Sequence, residues 1–99
     1  MSETKVAAKV RIVSEAASIV DIQGEITSFA EGVLMDAYNQ ASGREANAII
    51  LNFQGLEYMN SGGIGLLVTM LIRANRNNQQ MRAYGLSQHY REILSLTRL

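Results

Sequence analysis

The feature that most constrains the fold of this sequence is a strand, a loop and a helix in succession. The segment ANAIILNF at 46–53 is nearly continuous in apolar character, which is typical of a central strand covered on both faces in an α/β sheet. A loop at 54–59 leads to Asn60-Ser61-Gly62-Gly63. The segment from Ile64 to Ala74 is strongly apolar, and its length favours a helix over a strand. We therefore predict an α/β domain with this strand in the middle of its sheet.

Periodicity and turn chemistry predict the elements on either side. Two β-branched runs at 6–13 and 17–22 indicate a hairpin that ends at Gly24. A capping box, Ser28-Phe29-Ala30-Glu31, predicts the start of a helix, and Ser42-Gly43 predicts its end. The inward face of this helix is predicted to hold Ala30, Val33, Leu34, Ala37 and Ala41.

The chain after the apolar helix predicts one more strand and one more helix. The strand is expected at 80–84 and the helix at 88–96, with Ile93 and Leu94 facing inward. The resulting order is ββαβαβα, a sheet with helices packed on it.

Charge and cysteine content exclude several classes of function. Nine Lys plus Arg balance nine Asp plus Glu, so no overall field attracts nucleic acid or an acidic membrane. The first 57 residues carry a net charge of −4 and the rest +4, but the later arginines are dispersed.

The absence of cysteine excludes thiolate zinc sites and disulfides. No apolar stretch reaches the roughly 18 residues of a membrane span. We expect a single cytoplasmic domain over 1–99 that is neither exported nor inserted in a membrane.

Ser61 is the main candidate for function, because loops after the carboxyl end of a central strand usually hold the site of an α/β fold. Its position at or beside the start of a helix leaves two interpretations open. The hydroxyl could cap the helix, which is a purely structural role. Alternatively, it could accept a phosphate, because free amides and the helix dipole tolerate an added anion there.

The apolar helix is predicted to have two different faces. One face would pack on the sheet and holds Ile64, Leu67, Val68, Leu71 and Asn75. The other holds Leu66, Thr69, Met70 and Arg73, so that Leu66 and Met70 would be exposed beside Ser61 as a docking face. The alternatives are that the last helix covers this stripe, or that a second copy of the chain does so in a homodimer.

Enzyme chemistry finds little support in the sequence. The segment Gly62-Gly63-Ile64-Gly65-Leu66-Leu67 lacks the lysine of a phosphate-binding P-loop, so its glycines are interpreted as permitting a close approach of helix and sheet. The single histidine, His89, has no second histidine or cysteine for a metal and no triad spacing, and is assigned no role. We predict no catalytic residue, no cofactor and no metal.

Three segments resemble the STAS domain of bacterial anti-sigma factor antagonists. They are Gly24-Glu25-Ile26, Ile49-Ile50-Leu51-Asn52-Phe53 and Tyr58-Met59-Asn60-Ser61-Gly62-Gly63-Ile64-Gly65. The third is the most specific, because the family typically has Asp-Ser-Ser/Thr-Gly-Leu/Ile-Gly there, and the serine after the Asp is phosphorylated by a cognate anti-sigma factor that is a kinase. Ser61 matches that serine. The resemblance implies a mixed sheet of about four strands with helices packed on it.

The resemblance also implies a mechanism, called partner switching. The unphosphorylated antagonist binds an anti-sigma factor that is a serine kinase of the GHKL type and so frees a sigma factor. Phosphorylation separates the two proteins, and a serine phosphatase of the PP2C type resets the antagonist. ATP and magnesium belong to the kinase. The partner-binding residues implied here are Glu25, Thr27, Asn60, Ser61, Gly62, Leu66, Thr69, Met70 and Arg73.

The sequence departs from the family at three positions. Asn60 replaces the Asp before the serine, Thr27 replaces the acid that ends the Gly-Glu-Leu-Asp turn, and Gly62 replaces the second hydroxyl. These departures keep open a non-switching STAS module in a signalling scaffold or a lipid or anion transport system. A third interpretation is direct nucleotide or lipid binding at the Ser61 helix end. The family usually continues with a strand or short helix, which leaves open a natural chain that extends past Leu99.

Overall fold

A computed structural model describes residues 5–42 and 47–95 of the protein. Its elements are β1 (Val6–Ile12), β2 (Ala17–Ile26), a 3-10 turn (Ser28–Ala30), α1 (Glu31–Ser42), β3 (Ala48–Met59), α2 (Ser61–Arg76), β4 (Gln80–Tyr84) and α3 (Gln88–Ser95). The predicted order ββαβαβα is confirmed, as are the bounds of β4. The expected helix end at Gly43, strand start at Ala46 and last helical residue Leu96 lie outside the described residues.

The four strands form one mixed sheet in the order β1-β2-β3-β4. Strand β1 pairs with β2 antiparallel, as the predicted hairpin requires, whereas β2–β3 and β3–β4 are parallel. The predicted central place of β3 is confirmed, because it is hydrogen-bonded on both sides. Parallel pairing brings the carboxyl ends of β2 and β3 to the same edge of the sheet, next to the start of α2.

All three helices pack on one face of this sheet. On that face, Ser18 of β2 donates a hydrogen bond to the carbonyl oxygen of Ala41 in α1 (3.1 Å). The end of β2 also contacts Gly63 of α2, and Leu94 of α3 belongs to the same core. The core side chains of the sheet are Val20, Ile22, Ile26, Ile49, Leu51, Phe53 and Met59.

The expectation that helices cover both faces of β3 is wrong. Ile49, Leu51 and Phe53 are buried, but Ile50 and Asn52 on the other face are half-buried. The register places Ile50 opposite Ile19 of β2, and Ile19 opposite Arg11 of β1. Side chains of neighbouring strands, rather than a second layer of helices, therefore give Ile50 its partial burial.

A polar network crosses this open face of the sheet. Both oxygens of Asp21 accept from the guanidinium of Arg11, with Nη2 and Oδ1 2.8 Å apart. Asn52 donates to the same Oδ1 at 2.7 Å. The guanidinium of Arg11, followed by the amide of Asn52, lowers the pKa of Asp21 below its ordinary value.

Strands β2 and β3 are both longer than predicted. The expectation that the hairpin ends at Gly24 is wrong, and the predicted loop at 54–59 is strand. Gly24 adopts a φ of +95°, and a β-carbon there would lie 2.0 Å from the carbonyl oxygen of Lys5. The pairing register of β2 and β3 shifts around this residue, so the glycine allows an irregularity within the strand instead of ending it.

The cap at the start of the first helix lies one residue earlier than predicted. The hydroxyl of Thr27, not Ser28, caps the 3-10 turn by accepting from the amide of Phe29 at 3.2 Å, so the predicted capping box is wrong. Most of the predicted inward face is buried: Ala30, Leu34, Ala37 and Ala41. Val33 is only half-buried, and Tyr38 is buried instead, with its hydroxyl donating to Gln79 at 2.7 Å.

The Asp21 network predicts a specific dependence of stability on pH. Because the pKa of Asp21 is lowered on folding, its stabilisation is present above the unfolded value of about 3.9 and is lost as pH falls through the folded value. Asp21→Asn should lower the free energy of unfolding at pH 7, and its deficit should shrink toward pH 2. Urea unfolding across that range, with Asp36→Asn on α1 as the exposed control, measures both. A deficit that is constant with pH contradicts this assignment.

Candidate functional site

The start of α2 assigns separate roles to Asn60 and Ser61. Asn60 is the N-cap: its Oδ1 accepts from the amide of Gly63 at 2.9 Å, and its carbonyl accepts from Ile64 at 3.0 Å. Ser61 is the first residue of the helix and is exposed. The prediction that Ser61 lies at or beside the N-cap is confirmed, but the capping interpretation of its hydroxyl is wrong because Asn60 holds that role.

The glycines after Ser61 allow α2 to lie unusually close to β2 and the 3-10 turn. A β-carbon on Gly63 would lie 2.2 Å from the carbonyl oxygen of Ile26, closer than any side chain permits. A β-carbon on Gly62 would lie 3.1 Å from the β-carbon of Ser28. The predicted close approach of helix and sheet is confirmed for Gly63. Nothing lies within 4 Å of a β-carbon at Gly65, which has no such role.

Three elements meet at this edge of the sheet. Strands β2 and β3 end side by side, with Glu25 opposite Tyr58. The amide of Asn60 donates to the carbonyl of Ile26 at 3.2 Å, which joins the start of α2 to β2. The predicted residues Glu25, Thr27, Asn60, Ser61 and Gly62 are therefore brought to one edge, where Glu25 and Thr27 are half-buried.

The hydroxyl of Tyr90 in α3 fixes the end of β3 from the other side. It accepts from the amide of Met59 at 2.9 Å, one residue before the N-cap of α2. Sequence periodicity gave no sign of this bond, because it depends on where α3 packs.

The prediction that Met70 is exposed is wrong. Met70 is fully buried, and the buried side of α2 consists of Gly63, Leu67, Met70 and Ala74. The reason is that α1 lies beside α2, where Arg73 Nη1 is 3.7 Å from the sulfur of Met35. Of the other members of the predicted stripe, Leu66 is half-buried rather than exposed, Thr69 is exposed, and Arg73 contacts α1. Met70 cannot contact a partner directly in this arrangement.

The predicted inward face of α2 is partly correct. Leu67 is buried, and Ile64, Val68 and Leu71 are half-buried, but Asn75 is exposed. The helix is rotated about its axis relative to the prediction. The close contact with Ile26 places Gly63 on the inward face, and its lack of a side chain gave no hydrophobic signal for this in the sequence.

The surface that α2 does present to solvent is a line of exposed residues that we call the outer ridge. It consists of Ser61, Gly65, Thr69, Ile72 and Arg76. The side chain of Ile72 is 48% exposed. Phe29 on the 3-10 turn is 68% exposed and lies one residue from Ser28, which contacts Gly62. Phe29 and Ile72 add apolar surface that the sequence analysis missed.

The charge distribution of α2 suits an anion at Ser61. The first-turn amides of a helix have no intrahelical acceptor and form its positive end. Asn60 satisfies the amide of Gly63, and the first turn carries no acidic residue. Basic residues, Arg73 and Arg76, lie in the last turn. A phosphate on Ser61 would therefore lie at the favourable end of the helix.

Residues 5–42 and 47–95 contain neither a cluster of metal ligands nor a membrane-spanning helix. No group of three or more His, Asp or Glu side chains in these ranges is arranged to hold a metal ion. No helix within them is long and apolar enough to cross a membrane.

The close approach at Gly63 predicts opposite effects for two alanine substitutions in the same helix. Gly63→Ala should destabilise the protein by about 1–3 kcal/mol, because the new methyl group collides with the Ile26 carbonyl. Gly65→Ala is the matched control, and should stabilise it by up to ~1 kcal/mol since alanine favours a helix. Urea unfolding followed by circular dichroism measures both. Equal effects would contradict the role of Gly63.

The division of roles at the N-cap predicts a second pair of effects. Asn60→Ala should cost about 0.5–2 kcal/mol of stability, since the amide of Gly63 loses its acceptor. Asn60→Asp should retain stability, because a carboxylate caps as well and favours the helix dipole. Ser61→Ala should leave thermal stability near that of the parent. A larger loss from Ser61→Ala than from Asn60→Ala would assign the cap to Ser61 instead.

Comparison with known proteins agrees with this geometry. The family model described as Mlab, STAS domain, matches residues 11–99. The unphosphorylated anti-sigma factor antagonist SpoIIAA is similar over 91% of this chain and 83% of its own, with a TM-score of 0.74 and 20% identity. The phosphorylated form of this Bacillus cell fate determinant matches over 92% and 83%, with a TM-score of 0.68 and 20% identity.

A third structure is an anti-sigma factor antagonist from Mycobacterium paratuberculosis. It is similar over 94% of this chain and 78% of its own, with a TM-score of 0.70 and 19% identity. At such identities these likenesses establish the fold. Together with the family match over nearly the whole chain, they show that this chain belongs to the STAS domain family.

Proposed function

We propose that this chain is a cytoplasmic anti-sigma factor antagonist that binds a serine-kinase anti-sigma factor and is released by phosphorylation of Ser61. The observation that carries the proposal is the exposed hydroxyl of Ser61 at the positive end of α2, where Asn60 already provides the cap. The hydroxyl is therefore available to a kinase without loss of the helix start.

The binding surface in this proposal is the outer ridge together with Phe29. Phe29 and Ile72 supply exposed apolar area near the two ends of the ridge, and Thr69 lies between Ser61 and Ile72. Thr69, whose hydroxyl donates to the carbonyl of Gly65 at 3.0 Å, is neutral, so the middle of the ridge carries no charge. A partner can cover the ridge from Ser61 to Ile72 without burying an unpaired ion, because Arg76 lies at its far end.

Phosphorylation changes the electrostatics of this surface. A phosphate brings a charge of about −1.5 to −2, which the first turn of α2 tolerates in water. Under a partner, the same charge must be desolvated or paired. A penalty of about 3 kcal/mol weakens binding roughly a hundredfold, enough to separate the two proteins.

The chain is the phosphoryl acceptor in this scheme, not an enzyme. The GHKL-type kinase supplies ATP and magnesium, and a PP2C-type serine phosphatase removes the phosphate. The existence of SpoIIAA in phosphorylated and unphosphorylated forms with this fold supports the scheme.

A second candidate is a non-switching STAS module of a signalling scaffold or of a lipid or anion transport system. It is favoured by Asn60, a neutral residue whose side chain is committed to the amide of Gly63, where the antagonist family typically has an Asp. In this case a partner would cover the same ridge permanently, with Ser61 unmodified.

The two candidates differ in what a charge at Ser61 does. For the switch, Ser61→Ala should bind the serine-kinase anti-sigma factor as tightly as the parent, whereas Ser61→Asp should bind it about a hundredfold more weakly. Ser87→Asp is a matched control, because it adds the same charge at the start of α3 and keeps an acceptor for the amide of Tyr90. Biolayer interferometry measures the affinities.

Intact-mass spectrometry with kinase and ATP completes the test. A phosphate on the parent and none on Ser61→Ala supports the switch. Equal affinities of the Ala and Asp variants, with no phosphate on the parent, would overturn the switch and favour the non-switching module. Unchanged binding by Phe29→Ser combined with Ile72→Ser would reject the ridge as the binding surface in either case.

A further inference from the structure

A cavity of about 410 Å³ lies between the sheet and the two helices α2 and α3. Its buried floor consists of Leu51 and Phe53 of β3, Leu67 of α2 and Leu94 of α3. Leu71, Met81 and Leu86 form half-buried walls. This volume lies within the range of roughly 300–1,000 Å³ that is typical of small-molecule sites, whose linings are mostly apolar with a few polar groups.

The polar groups of the cavity lie at its mouth. Arg91 and Ser95 of α3 line it there, and both are exposed. Within the described part of the chain, Arg91 has no carboxylate at ion-pair distance. Glu92 lies beside Arg91 in a shared surface recess and accepts from Gln88 at 3.3 Å. The hydroxyl of Ser95 donates to the carbonyl of Glu92 at 2.7 Å. The mouth therefore offers the positive charge of Arg91 above an apolar interior.

Arg82 of β4 also borders the cavity, but its guanidinium lies on the opposite face of the sheet. The register sets Arg82 opposite Ile50 on the open face of the sheet. There its Nη2 lies 3.4 Å from Oε1 of Gln80. Arg91 is thus the arginine whose guanidinium can meet a ligand in the cavity.

We propose that this cavity binds a fatty acid, with the acyl chain among the leucines and the carboxylate at Arg91. Scaling from the roughly 150 Å³ cavity that holds benzene, a volume of about 410 Å³ holds around sixteen non-hydrogen atoms, which is the size of tetradecanoate. An arginine forms two parallel hydrogen bonds with a carboxylate. The site is separate from the outer ridge and needs no partner protein.

Isothermal titration calorimetry of the delipidated full chain with tetradecanoate, below its micelle concentration, tests this inference. We expect saturable one-to-one binding in the micromolar range, with tetradecyltrimethylammonium at least tenfold weaker, because the same chain then carries a cation toward Arg91. Absence of saturable binding, or equal affinities for the two amphiphiles, would overturn the proposal.

Three variants locate the ligand. Arg91→Gln should weaken tetradecanoate binding about tenfold, while Arg82→Gln, the matched control, should leave it within twofold. Ala83→Leu should fill the cavity from β4 and abolish binding without loss of thermal stability. Equal effects of the two arginine variants, retained binding by Ala83→Leu, or amide chemical-shift changes centred on Ser61 rather than on Leu67 and Leu71, would each reject the site.

Discussion

Gly63 lets the first turn of α2 lie directly against the carbonyl oxygen of Ile26, where any other residue would place a β-carbon 2.2 Å from that oxygen. The same carbonyl accepts from the amide of Asn60. One backbone group of β2 is thus in contact with Asn60 before Ser61 and with Gly63 after it, and the start of α2 has little freedom to rotate. The outward direction of Ser61 and the inward direction of Met70 both depend on this contact.

Separating the cap from the exposed hydroxyl has a functional consequence. If Ser61 capped the helix, modifying it would compete with the amide of Gly63 and would weaken the element that presents it. Because Asn60 accepts that bond, the Ser61 hydroxyl can change its charge while the helix start stays intact. A switch and a permanent docking module both need this rigid presentation of Ser61.

Several features were predictable because they depend on local sequence. The order of elements follows from hydrophobic period, and the start of α2 follows from the turn chemistry of Asn60 and the glycines. The strand ends were not predictable in this way, since Gly24 reads as a terminator in sequence but forms an irregularity between paired strands. Whether Thr27 or Ser28 caps the start of the first helix is likewise settled only by the path of the chain.

The burial of Met70 could not be predicted from local sequence. A helix with apolar residues on most sides does not reveal which side meets a neighbouring element. In the structure three sides of α2 are used differently: Leu67 faces the sheet, Arg73 faces α1, and Leu71 borders the cavity beneath α3. The outer ridge is the fourth side. A ligand in the cavity and a partner on the ridge therefore share no described side chain. They are linked through α2 itself, which contributes Leu67 and Leu71 to the cavity, and through α3, whose Tyr90 holds the amide of Met59 immediately before the cap of α2. Each can consequently be tested by substitutions that leave the other in place.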